Sequence, residues 1–199
     1  MNRNLKLIIV VVGIGINIIG GTLNSALKLP IFLDSIGTML SAVLLGPWLG
    51  ALTGILSNVF SGIFTNPIEI PFGLVNGVIG LIVGFIALKR GFEDYVTPLI
   101  VGLILSVAAP LVGTPIAVYL FGGLTGGGVD ILYGVLLGAS DRVFSSAFLA
   151  RIPTNLVDKL ISAYLVMFIF RALPAQWKDS AAARAKAAVT LKSEVEAKG

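Results

Sequence analysis

Apolar residues fill this chain in long blocks, and polar residues are confined to short gaps between them. A membrane-crossing helix needs about 20 predominantly apolar residues. The first block, residues 5–27, satisfies this before Lys28-Leu29-Pro30 stops it, since proline disfavours helix at the residue before it. Residues 31–64 carry one charge, Asp34, and as a single helix would reach about 50 Å, well beyond a bilayer core. The segment must fold back, and Gly46-Pro47 is its one strong break. This predicts a short second helix, N-capped by Asp34 or Ser35 and ending near Leu45, with residues 48–64 returning as a third.

Residues 65–71 read as a polar loop bracketed by Pro67 and Pro71, and residues 72–88 as a fourth span ending on Lys89-Arg90. Residues 96–121 form a fifth span; its prolines, Pro98, Pro110 and Pro115, are tolerated in a membrane where neighbours satisfy the freed backbone. A glycine-rich loop, residues 122–128, follows. Residues 129–150 are apolar but interrupted by Asp130, Ser140, Asp141 and Arg142, which predicts broken helical segments at one membrane face. Residues 153–173 are the last span, with Pro153 in the first turn, where its missing N–H costs nothing. The prediction is an all-α integral membrane protein: a six-helix transmembrane body over residues 1–174 and a cytoplasmic tail over 175–199, partly helical or disordered.

Composition agrees. Of 199 residues, 56% are hydrophobic and 12% charged, against about 25% charged in soluble domains. Arg3 and Lys6 before an apolar run resemble a secretory signal, but the run outlasts the about 7–15 residues of a signal core and lacks a small-residue cleavage site. A retained first span is expected. The chain has no cysteine and no histidine, which removes disulfides, thiol nucleophiles and imidazole chemistry. An enzyme would be left with carboxylates, so catalysis is the weaker class and no cofactor is expected. Charge sets the orientation. Arg3, Lys6, Lys89, Arg90, Arg171 and Lys178 fall on the side of the termini, and Lys28, Arg142, Arg151 and Lys159 fall opposite. The positive-inside rule then places both termini in the cytoplasm.

With this topology the polar groups gather toward the outer face: Asp34, Asn58, Asn66, Glu69, Asn76, Asn155, Asp158 and Lys159. Ionisable residues at membrane depth cost a few kcal/mol and face a cavity or a partner. Two readings stand: Asp158 and Lys159 in the headgroup layer with Asp34 as a helix cap, or convergence on one outward cavity. Gly13, Asn17, Gly21 and Ser25 form a four-spaced stripe on the first helix, suited to packing inside the protein or to docking a separate membrane subunit. The glycine run at 122–128 lacks the GK[ST] ending of a phosphate loop and reads as a lid or a flexible connection.

In order, Phe32-Leu33-Asp34-Ser35-Ile36-Gly37-Thr38, Leu45-Gly46-Pro47-Trp48-Leu49-Gly50, Asn66-Pro67, the glycine-rich loop and Pro153-Thr154-Asn155-Leu156-Val157-Asp158-Lys159 resemble the S components of energy-coupling factor (ECF) transporters. These are the substrate-capturing membrane subunits of bacterial vitamin importers. The resemblance covers residues 5–173. It implies a six-helix fold with a pocket near the outer face, closed by the loops after the first, third and fifth helices. It also implies docking, through small residues of the first helix, on a transmembrane coupling subunit that carries two cytosolic ATPases. Carried over by position, Asp34, Asn66, Glu69, Asn155, Asp158 and Lys159 are the expected ligand contacts, with Asn58, Asn76 and Tyr133 behind them. Gly13 and Asn17 are the nearest match to the docking stripe. The mixed amide, carboxylate and lysine groups suit a vitamin- or nucleoside-like heterocycle better than a metal. A membrane-embedded sensory or scaffolding module is the rival reading, but the short tail offers no signalling output. A channel would place polar stripes along whole helices.

Overall fold

The computed structural model describes residues 1–140 and 142–196. Asp141, one of the expected interruptions, and residues 197–199 of the tail lie outside the described residues. The chain is helical throughout: α1 (Arg3–Leu27), α2 (Ile36–Leu45), α3 (Pro47–Phe64), α4 (Glu69–Arg90), α5 (Val96–Phe121), α6 (Val129–Ser140), α7 (Val143–Ala172) and α8 (Ala175–Glu196). Five of these, α1, α3, α4, α5 and α7, are long and apolar enough to cross a membrane. The second segment of the six-span reading, α2, has ten residues, a rise of about 15 Å. Every residue of α2 from Gly37 to Leu45 is buried, enclosed by α1, α3, α4, α7 and α8.

Element ends follow local chemistry. Gly46, at φ +91°, turns the chain between α2 and α3, and Pro47 takes the first position of α3. The loop into α4 is tighter than the bracketing prolines suggested. Ser61 O accepts from the N–H groups of Thr65 and Asn66 at 2.8 and 3.1 Å, and Asn66 O from Glu69 N–H at 2.9 Å. Helix α4 therefore starts at Glu69, and Pro71 sits in its first turn, where no amide donor is needed.

The larger correction concerns the last span. Helix α6 ends at Ser140, and α7 begins at Val143, after Arg142, and runs through Pro153. Pro153 is thus interior to the helix. Beside it, Thr154 Oγ1 donates to Ala150 O at 3.0 Å and Asn155 Nδ2 to Arg151 O at 2.8 Å. Polar side chains thus bond backbone carbonyls in the turn that proline disturbs.

Close packing comes from small residues. A Cβ at Gly80 would lie 2.4 Å from the backbone of Gly50 and Ala51, and one at Gly84 would lie 2.4 Å from Pro47. Helices α3 and α4 touch backbone to backbone there, as small residues permit in lipid. The tail is no free appendage. In α8, Trp177 and Ala181 pack on the main core cluster, and Arg184 Nη1 donates to Leu44 O at 2.5 Å.

Candidate functional site

Asn17 organises the start of α2 from outside it. Its Oδ1 accepts from Gly37 and Thr38 N–H at 2.7 and 3.3 Å, while its Nδ2 donates to Thr38 Oγ1 and Ser57 Oγ at 2.7 and 2.9 Å. The first-turn donors of α2, orphaned in any helix, are thus satisfied by α1. A Cβ at Gly13 would meet Ser41 Oγ at 2.5 Å and Gly37 O at 2.9 Å. Of the two uses foreseen for the α1 stripe, packing inside the protein is observed for Gly13 and Asn17, while Gly21 is half-buried and Ser25 exposed. Gly13 and Asn17, expected to dock a coupling subunit, are buried against α2 and α3 and present no surface to a partner.

With its helix capped by Asn17, Ser35 is left to another group: Lys159 Nζ donates to Ser35 Oγ at 2.9 Å. The ammonium also bonds Asp158 Oδ2, lies 3.8 Å from Asp34 Oδ1 and sits 5.7 Å from the centre of the Phe32 ring. Lys159 and Asp158 are 2% and 0% exposed, so both are enclosed by protein rather than offered to lipid headgroups. A buried cation is tolerable when anions and acceptors surround it, and Lys159 has three such partners. Asp158 Oδ1 in turn accepts from Phe32 and Leu33 N–H at 3.2 and 2.8 Å. It pins the α1–α2 loop, in which Leu33 adopts φ +56°.

The network continues across the bundle. Asn76 Nδ2 reaches Asn58 Oδ1 at 2.6 Å, Asp34 O at 3.2 Å and Asp34 Oδ2 at 3.4 Å. All three are acceptors, so the amide orientation is determined. Asn58 Nδ2 donates to Glu69 O and Oε2 at 3.1 and 3.3 Å. Glu69, Asn58, Asn76, Asp34 and Lys159 therefore form one connected line drawn from α4, α3, the α1–α2 loop and α7.

These groups open onto a cavity of about 370 Å³, within the range of small-molecule sites. Asp34, Asn58, Asn66, Glu69, Asn76, Asn155 and Lys159 line it, together with apolar Ile18, Phe72, Val75 and Ile79. The cavity lies at the helix ends opposite Arg3, Lys89, Arg90 and Arg171. Two expected contacts do not line it. Asp158 lies behind Lys159, facing the Phe32–Leu33 backbone. Tyr133, 2% exposed, donates its hydroxyl to Gly122 O at 3.0 Å and supports the glycine-rich loop. Gly123, at φ +97°, has no room for a Cβ beside the Tyr133 ring.

That loop covers part of the cavity through Thr125, Gly126 and Gly127. It is held by Asp130, whose carboxylate accepts from Thr125 N–H at 3.0 Å and from Gly126 N–H at 2.7 Å. The sequence reading also missed Asn24 and Arg151, both buried and both lining the cavity. Arg151, Asn155 and Lys159 are spaced by four, which places them on one face of α7; that spacing was available from the sequence. Two of the lining residues, Asn24 and Asn76, hold an enclosed amide oxygen without a hydrogen-bond partner. No group of histidine, cysteine and carboxylate side chains suited to a metal occurs among the described residues.

The arrangement can hold a small polar molecule against a mixed wall of amides and charges. Comparison with curated proteins and with solved structures finds no match. The family model of the ECF transporter substrate-specific component matches residues 5–170, which takes in every helix except α8. The chain belongs to that family: it is a multi-pass membrane protein and a substrate-specificity subunit of an ECF transporter.

Proposed function

We propose that the protein captures a vitamin- or nucleoside-like metabolite in the cavity at the outer end of the bundle and passes it to a coupling module. That module consists of a transmembrane subunit and two cytosolic ATPases, shared with other capture subunits. The setting is a bacterial inner membrane with both termini in the cytoplasm, and the chain itself is not an enzyme. Residues 1–174 are the capturing body and residues 175–199 its cytoplasmic extension.

One observation carries this reading. The polar line from Glu69 to Lys159 borders a cavity of small-molecule size whose wall also carries the apolar side chains of Phe72, Val75 and Ile79, the mixed lining that small-molecule sites share. Asp34, Asn58, Asn66, Glu69, Asn76, Asn155 and Lys159 are the proposed contacts, with Asp158 fixing the position of Lys159.

Mass spectrometry of small molecules retained by the purified protein tests this reading. A bound heterocyclic metabolite is expected, and its affinity should fall about tenfold in Asn76→Ala and in Asn155→Ala, the loss of one well-made hydrogen bond each. Unchanged affinity in both variants would move the site away from this cavity.

A further inference from the structure

The cavity holds two cations in different states. Lys159 is neutralised by its own chain, through Asp158, Asp34 and Ser35. Arg151 is not. It is 3% exposed, and its Nη1 and Nη2 reach only backbone carbonyls, Ala147 O at 3.2 Å and Gly123 O at 3.4 Å. No carboxylate among the described residues forms an ion pair with it. Asp130 is near enough to act on it electrostatically, but that carboxylate is occupied by the amides of Thr125 and Gly126. A buried guanidinium without an anion is costly, and its planar fork of five donors matches a carboxylate or phosphate in two-point contact.

The opposite imbalance occurs elsewhere on the same wall. Among the described residues Glu69 pairs with no cation and its carboxylate receives only the Asn58 amide. Glu69 and Arg151 line one cavity without pairing with each other. A site for an anion and an acceptor for hydrogen-bond donors are thus both left open.

Resting on the capture reading above, we propose that the substrate is amphoteric in its hydrogen bonding. It carries a carboxylate or phosphate that docks on Arg151, and an N–H or amino group that meets the Glu69 carboxylate. Arg151 then selects the ionised form of a metabolite over its neutral relative, and the glycine-rich loop, tied to Arg151 through Gly123 O, closes beside the bound anion.

Matched pairs of probes test this on the full-length protein in detergent or nanodiscs: nicotinate against nicotinamide for a carboxylate, pyridoxal 5′-phosphate against pyridoxal for a phosphate. Thermal stabilisation and titration calorimetry should show at least tenfold preference for the charged member of one pair, and which pair responds identifies the anion. Arg151→Gln should weaken binding of the charged member at least tenfold more than that of the neutral member, and Arg151→Lys should retain part of the preference. A metabolite retained by the wild-type protein should carry one of the two anions.

Equal binding of both members to the wild-type protein, or a retained metabolite with no anionic group, overturns the inference and leaves the capture reading standing. An equal loss for both members in Arg151→Gln also overturns it, because that is the signature of a residue that only braces the loop. Should Arg151→Gln fail to fold, the wild-type preference and Arg151→Lys decide. Failure of every probe, together with no retained metabolite, defeats the capture reading and this inference with it.

Discussion

Helices α3 and α4 meet in two ways along their shared length. Toward the end that carries Lys89 and Arg90, Gly80 lies on the backbone of Gly50 and Ala51, and Gly84 on Pro47. One or two turns toward the cavity, the contact passes to Asn58 and Asn76, bonded side chain to side chain at 2.6 Å. Glycine lets backbones touch and leaves no space. Asparagine holds the helices together with directional bonds and lines the cavity beside them. In a membrane, where apolar side chains gain little by leaving lipid, close packing and interhelical hydrogen bonds are the two available means of association. This protein spends the first on rigidity at one end and the second on a site at the other.

The strongest way to break this contrast is at the cavity end. Lys159→Met leaves Asp158 and Asp34 without their cation, and removing one member of a buried ion pair costs about 3–5 kcal/mol. A large drop in melting temperature in detergent and loss of ligand binding are expected, with part of the stability restored by adding Asp158→Asn. A wild-type melting temperature in the single variant would mean that the network is not held by charge.

At the end away from the cavity, Gly80→Val forces a Cβ into the Gly50–Ala51 backbone. Overpacking of this kind costs about 1–3 kcal/mol. Melting should fall while the ranking of ligands stays as in the wild type. A changed ranking would show that the two ends are not separable.

The smallest effect lies on the α4–α5 connection. There Asp94 accepts from the N–H groups of Val96 and Thr97 and from the Thr97 hydroxyl, and these bonds hold its carboxyl below the usual range, the Thr97 amide foremost. Asp94→Ala should cost about 0.5–1 kcal/mol, the range for a lost helix cap. Because the folded value is depressed, the contribution is full above the unfolded value of about 4 and disappears as pH falls through the lower folded value. The melting difference between wild type and variant should therefore be present at pH 7 and shrink in acid. A difference independent of pH would assign the effect to packing.

Much of this was legible in the sequence, for physical reasons that also explain the gaps. Apolar blocks of bilayer length announce spans whatever their partners, so α1, α3, α4 and α5 lay close to where the pattern put them. The start of α7 was not legible, because Pro153 is as compatible with a first turn as with a helix interior whose polar neighbours bond the local carbonyls. Polar residues near the outer ends were recognisable as a group, and most of them line the cavity. Adjacent positions on a helix point about 100° apart, however, so Lys159 faces the cavity and Asp158 turns to the Phe32–Leu33 backbone. For Asn17 and Gly13 the spacing was read correctly, but spacing alone does not say which neighbour a helix face meets.

The short helix α2 is held at both tips by side chains from far along the chain: Asn17 and Lys159 at its start, Arg184 on the Leu44 carbonyl at its end. It behaves as a strut with a socket at each end, one in the floor of the cavity and one against the C-terminal helix. Sheathed by neighbours along its whole length, it has little freedom to tilt or bend. Motion along its own axis would carry a change at Asp34 and Ser35 directly to α8, so truncating the chain before Arg184 would unseat the strut at the end far from the substrate.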